Sequence, residues 1–139
     1  MRIGIIRSTT AYGKIPEVAQ ALEKLGHVPV MPNCYDEPVY NEDTDRMSEE
    51  MYLAFFKSMY MQSRERTASL DAVLVLNEPK TKNGTVFPNY IGAATFLEMY
   101  EAFMQGKKIF IYYDLPDSML LDEIKGFAPI LLNGDLTAI

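Results

Sequence analysis

The chain has 139 residues, enough for one domain with a full core, and its 48% hydrophobic and 23% charged content is that of an ordinary globular protein. A formal net charge of −6 argues against a nucleic-acid backbone as partner, which would call for a basic face. A single cysteine excludes an internal disulfide and fits a reducing compartment. No apolar run approaches membrane-spanning length, and a strand pattern begins at Arg2 with no room for a leader, so the expectation is a cytoplasmic protein with no membrane partner.

Arg2-Ile-Gly-Ile-Ile6 reads as a first strand, followed by a hydroxyl-rich turn from Ser8 to Gly13. Ser8, Thr9 and Tyr12 there suit either a phosphate or ribose cradle or an ordinary strand-to-helix turn. Neither Gly-x-Gly-x-x-Gly nor Gly-Lys-Thr is present, which speaks against nicotinamide cofactors and nucleoside triphosphates. Ile15 to Leu25 reads as a helix with Val18, Leu22 and Leu25 inward and Gly26 at its end. His27 to Met31 is a second strand, placed at the sheet edge because Pro29 cannot donate a ladder bond. His27 is the only histidine and Cys34 stands apart from it, so neither a metal site nor thiol chemistry is expected.

Pro32 to Asp45 reads as a loop over the carboxyl edge of the sheet, either a lid or a plain connector. Arg46 to Thr67 is the longest helix, begun by Ser48 or by Thr44 and Asp45. Met47, Met51, Phe55 and Met59 form one stripe on it, and Tyr52, Phe56 and Tyr60 an adjacent one. Together they are wider than one sheet face needs, so one stripe is assigned to the core and the other to a second subunit, giving a homodimer. Ser63, Arg64 and Arg66 close this helix and face either solvent or ligand.

Asp71 to Asn77 is an unbroken aliphatic run, a strand buried on both faces. A polar loop with Pro79, Gly84 and Pro88 follows, then a helix from Gly92 to Gly106 with Phe96, Leu97, Tyr100, Phe103 and Met104 at helical spacing. Ile109 to Tyr113 is a second buried strand, so this unit is a right-handed βαβ crossover joining parallel strands. Ser118 to Lys125 is a short helix, Ala128 to Leu132 a last strand, and Asn133-Gly134-Asp135 a turn. The alternation predicts a single doubly wound, five-stranded parallel α/β sheet, flavodoxin-like (Rossmann-like) in order and spanning residues 1–139.

Within the Gly92 helix, Glu98 has Ala94, Thr95, Glu101 and Ala102 one turn away, and small neighbours leave room for a ligand to approach a carboxylate. Periodicity alone equally describes a solvated helix glutamate. The segment Gly92-x-x-Thr95-x-x-Glu98-x-x-x-Ala102-x-x-x-Gly106-Lys107, after a strand opening with Asp71-Ala72, resembles the signature of the nucleoside 2'-deoxyribosyltransferase superfamily, which includes nucleoside 5'-monophosphate N-glycosidases. Asn89-Tyr-Ile-Gly with Thr95-Phe-Leu-Glu-Met99 resembles an uncharacterised branch of it.

The resemblance implies cleavage or transfer at the N-glycosidic bond of a nucleoside or nucleotide, without a cofactor. Glu98 would be the nucleophile that traps the anomeric carbon as a sugar ester. Thr95 or Tyr12 would orient it, and Ser8, Thr9, Asn89, Tyr90 and Gly92 would complete the substrate pocket. The chain departs from the family at two positions, where characterised members carry aspartates and this one has Gly92 and Ser63. Asp114, Asp117, Asp36 or Glu37 is then expected to handle the leaving base, while Asp71 is structural. The alternatives are a nucleotide-binding module without turnover and, more weakly, a flavodoxin-like response or interaction domain.

Overall fold

β-branched and aliphatic residues concentrate in two runs, and these become the middle of the sheet. The computed structural model describes residues 1–139, the side chain of Thr9 excepted. Strand β1 (Arg2–Arg7) lies between β2 (Val28–Val30) and β3 (Ala72–Leu76). Strands β4 (Lys80–Lys82) and β5 (Thr85–Phe87) form a separate hairpin, and β6 (Lys108–Ile111) and β7 (Ile130–Leu131) complete the main sheet. The five main strands run in the order β2-β1-β3-β6-β7 and every pairing among them is parallel. That is the flavodoxin-like order, with β2 at an edge where Pro29 is tolerated.

Alternation along the strands divides the core in two. Ile3 and Ile5 of β1, Ala72, Leu74 and Leu76 of β3, and Phe110 of β6 face helix α1 (Ile15–Lys24) through Ile15, Val18, Ala19 and Leu22. Ile6, Val73, Val75, Ile109 and Ile111 face the other side. There Met99 and Ala102 of α4 (Ala93–Met104) and Ile124 of α5 (Leu121–Gly126) cover them. Each fully buried aliphatic side chain contributes about 1.5–3 kcal/mol relative to exposure, so the sheet middle dominates the stability.

The carboxyl edge is closed by polar bonds. Asn77, buried just past β3, donates to the Asp114 carbonyl at 2.7 Å and accepts from the Tyr113 amide at 3.0 Å. Lys14, at the end of the 3-10 turn Thr9–Lys14, donates to the Tyr113 hydroxyl at 3.0 Å and stands 3.3 Å from Glu78. These contacts pin the turn after β1 against the ends of β3 and β6. Asp71 accepts from the Arg2 amide at 2.6 Å, the structural role expected of it.

Several sequence expectations need correction. Leu25 is exposed rather than inward, because α1 ends at Lys24 and the chain turns there. In α4 the larger apolar residues do not form the core face: Leu97, Tyr100, Phe103 and Met104 are exposed, and Thr95, Met99 and Ala102 are buried instead. Phe96, Tyr100 and Phe103 gather instead around Phe127, with ring centroids 5.6, 6.4 and 5.3 Å away. The loop after β3 contains the β4–β5 hairpin, turned by Asn83 and Gly84 at φ of 51° and 76°. The Pro32–Asp45 stretch contains a short helix, α2 (Asn41–Asp45).

The longest helix, α3 (Glu49–Ala68), starts as expected, with the Ser48 hydroxyl accepting from the Met51 amide. Its stripes do not reach the core. Thr67 is its only buried residue, whereas Met51, Tyr52, Leu53, Tyr60 and Met61 are all exposed. Among the described residues, no helix is long and apolar enough to cross a membrane.

Candidate functional site

Glu98 sits in the middle of α4, and its carboxylate meets α3. The Arg66 guanidinium on α3 donates through Nη2 to Glu98 Oε1 at 2.7 Å, and the Ser63 hydroxyl donates to the same oxygen at 3.4 Å. Arg66 also donates through Nη1 to the Met31 carbonyl at 2.9 Å, which fixes the guanidinium plane. No group among the described residues bonds Glu98 Oε2. The two side chains of the pair keep only 10% and 17% of their surface.

This environment pulls the Glu98 carboxyl in two directions. Burial pushes it above the ordinary glutamate range, and Arg66, Ser63 and Arg7 oppose that push. Burial likewise lowers Arg66 and Arg7 from the ordinary arginine value while Glu98 opposes it. An arginine starts so high that both stay cationic. Glu98 is therefore a largely buried carboxylate with one oxygen anchored by a cation and the other unengaged.

A cavity of about 260 Å³ opens at the start of α4, lined by Arg7, Ser8, Lys80, Tyr90, Gly92, Ala93, Ala94 and Thr95. Three features make it hospitable to an anion. Gly92 caps α4 without a side-chain bond, so the first-turn amides face outward unsatisfied by a cap. Arg7, at the end of β1, makes no side-chain hydrogen bond through its buried Nε and lies 5.1 Å from the Tyr12 ring centre. Lys80 on the hairpin lies 4.8 Å from the Tyr90 ring centre.

The structure brings four of the expected binding residues together on this cavity: Ser8, Tyr90, Gly92 and Thr95. Thr95 is buried one helical turn before Glu98. Gly92 is tightly roofed, since a Cβ there would stand 3.4 Å from the Tyr90 ring. Two others lie elsewhere. Tyr12 donates its hydroxyl to the Tyr35 carbonyl at 2.7 Å and stacks on Tyr35 at 5.6 Å, so it joins two loops rather than orienting Glu98. Asn89 adopts a left-handed φ of 54° and reaches the Leu115 carbonyl at 3.5 Å, shaping the approach to α4. The Thr9 side chain lies outside the described residues.

None of the four carboxylates considered for the leaving base lines this cavity. Asp36 and Glu37 border a second, open cavity of about 490 Å³ with Met31, Pro32, Cys34 and Tyr35. Asp114 caps the Leu115 amide at 2.7 Å, and Asp117 is exposed beyond it.

Arg7 and Lys80 were missed as site residues, and Arg66, read as facing either solvent or ligand, was not matched to Glu98. Arg66 ends the aromatic helix and pairs across 32 positions, a contact that no local pattern announces. Arg7 follows a strand at the binding edge, and that position is itself a signal. Lys80 rides on a hairpin that Asn83-Gly84 advertises.

No family model matches the chain, and no curated protein sequence matches it. Solved structures resembling it include a 2-deoxyribosyltransferase from Bacillus psychrosaccharolyticus, 18% identical over 80% of this chain and 71% of that one, with a TM-score of 0.48. Clostridium botulinum CMP N-glycosidase BcmB is 14% identical over 94% of this chain and 85% of that one, with a TM-score of 0.48. The flavoenzyme NAD(P)H:(acceptor) oxidoreductase FerB from Paracoccus denitrificans is 15% identical over 94% and 72%, with a TM-score of 0.43. Identities this low leave function to be read from the side chains of this chain's own site.

Proposed function

We propose that this protein cleaves or transfers at the N-glycosidic bond of a nucleoside or nucleoside 5'-monophosphate, with Glu98 as nucleophile. One observation carries the reading: a largely buried carboxylate, anchored through Oε1 and unengaged at Oε2, lies one helical turn beyond a cation-rimmed cavity at the carboxyl edge. The sequence motif around Glu98 points to the same chemistry.

In this reading Oε2 attacks C1' of the sugar as the C1'–N bond breaks, giving a sugar ester on Glu98 and a departing base. Water opens the ester in hydrolysis, and in the net reaction it supplies the proton that the base gains and the hydroxyl that the sugar gains. A second base opens the ester in transfer. Arg66 and Ser63 orient the nucleophile and favour its ionised form against the burial that raises its pKa. Arg7, Lys80 and the first-turn amides of α4 would receive a 5'-phosphate. The working form is proposed to be a homodimer.

A second reading is favoured by a specific observation. The two positions where characterised relatives of the motif carry aspartates hold Gly92 and Ser63, and no carboxylate lines the cavity, Glu98 lying one helical turn beyond it. Without a proton donor the same pocket would bind nucleotides and release no base. Incubation with a panel of nucleosides and 5'-monophosphates, monitored for free base, separates the two readings. Calorimetric binding on the same panel reports on the silent one.

A further inference from the structure

The two α3 residues that anchor Glu98 are themselves tied to the segment that follows β2. Arg66 donates to the Met31 carbonyl at 2.9 Å. Two residues on, Asn33 donates through Nδ2 to the Ser63 hydroxyl at 2.8 Å and, more weakly, to the Met59 carbonyl at 3.4 Å. A carbonyl can only accept, so it is the nitrogen of the Asn33 amide that faces α3. Cys34, left-handed at a φ of 57°, places its Sγ 3.5 Å from Met59 Sδ and holds the segment against the helix.

A helical serine commonly turns its hydroxyl back on its own helix. Two serines of this helix do so. Ser58 donates to the Phe55 carbonyl at 2.9 Å, and Ser69, which caps α3, donates to the Arg66 carbonyl at 2.8 Å. Ser63 donates across to Glu98 Oε1 instead. One turn back from Ser63 lies the Met59 carbonyl. One of its lone pairs takes the helix amide of Ser63, and the other faces the Asn33 amide. Asn33 also occupies a lone pair of Ser63 Oγ, so the single hydroxyl proton turns away from Asn33 and toward Glu98. At 3.4 Å the Ser63–Glu98 contact is long and counts only if that proton is aimed.

We propose that Asn33 is a positioning residue for Glu98: by donating to Ser63 it aims the Ser63 proton at Oε1. Its effect on turnover rests on the reading of Glu98 as nucleophile, but its effect on the Glu98 carboxyl does not. The charged groups that face Glu98 are Arg66 from α3 and Arg7 from β1, and both stay in place throughout the test.

The test reads Glu98 in the resting full chain. Its isotope-labelled carboxyl carbon, identified by its loss in Glu98→Gln, is titrated by NMR. Removing a hydrogen bond to the ionised form favours the neutral one, so Asn33→Leu should move the midpoint to higher pH, as Ser63→Ala should. In a Ser63→Ala background Asn33→Leu should add nothing, because Asn33 acts through the hydroxyl. Asn33→Asp keeps the shape, accepts the Ser63 proton and should also raise the midpoint, with circular dichroism confirming that both variants fold. In turnover, Asn33→Leu should lower kcat about fivefold with KM unchanged, the loss of one hydrogen bond. A midpoint that stays in place in Asn33→Leu overturns the proposal. So does a shift that persists undiminished without Ser63, which would make Asn33 merely structural. A wild type that releases no base removes the nucleophile reading and leaves the titration to decide Asn33.

Discussion

Arg66 Nη2 lies 2.7 Å from Glu98 Oε1, and this pair joins α3 to α4 at the point where the candidate chemistry would occur. Removing one member of such a pair strands the other in a site that water barely reaches. Arg66→Met should therefore lower unfolding free energy by about 2–3 kcal/mol at mildly alkaline pH, less than for a wholly sequestered pair. The sign of its pH dependence follows from Glu98. A carboxyl held above its unfolded value stabilises most below the ordinary glutamate range and loses that contribution as pH rises through the folded value. Without Arg66 the folded value rises further, so the deficit of Arg66→Met should shrink on acidification. Glu98→Gln in the same background should recover much of it. Urea unfolding at mildly acidic and mildly alkaline pH measures both effects.

The cationic rim of the smaller cavity should discriminate between ligands by their phosphate. Lys80→Ala should raise the KM, or the Kd if turnover is absent, about tenfold for a nucleoside 5'-monophosphate, the loss of one charge-assisted contact. The corresponding nucleoside should be unaffected. Equal weakening of both would remove Lys80 from phosphate recognition, and titration calorimetry with the two ligands decides it.

Asn77 should matter for stability despite its distance from Glu98. Its side chain satisfies one backbone carbonyl and one amide in a fully buried position. Asn77→Ala leaves both unpaired and should cost about 2–4 kcal/mol. A thermal melt shows this directly, as a lowered Tm with an unchanged far-ultraviolet spectrum.

The sheet was readable from the sequence because strands buried on both faces leave unbroken aliphatic runs, as Ala72–Leu76 does. The same habit of reading apolar spacing as core failed for α4, where the bulky residues pack on Phe127 or stay exposed and Met99 and Ala102 face the sheet. On α3 the spacing was real but its partner was not the sheet. Periodicity reports that a face is apolar and is silent about what covers it. Asn83-Gly84 signalled a hairpin within the stretch read as a plain loop, and with it the placement of Lys80.

At the site, the cluster of Ser8, Tyr90, Gly92 and Thr95 was legible because topology carries the ends of β1 and β3 to one edge. Arg66 and Ser63 were not legible as partners of Glu98. Their contact depends on how α3 crosses α4, and no short-range pattern encodes that crossing. Tyr12 was assigned because the turn after β1 meets the same sheet edge as the start of α4, yet its hydroxyl is taken by the Tyr35 carbonyl.

The most direct measurement is base release by wild type and Glu98→Ala across nucleosides and their 5'-monophosphates, with Glu98→Gln to keep the shape while removing the charge. The wild type should liberate base from at least one member of the panel. Both variants should release it slower by a factor on the order of a thousand or more, with ligand binding retained, since none of the residues lining the cavity is a carboxylate that could form the sugar ester in place of Glu98. Equal rates for wild type and Glu98→Ala would contradict the nucleophile assignment. Tight binding without release from any substrate would contradict turnover and leave a nucleotide-binding module.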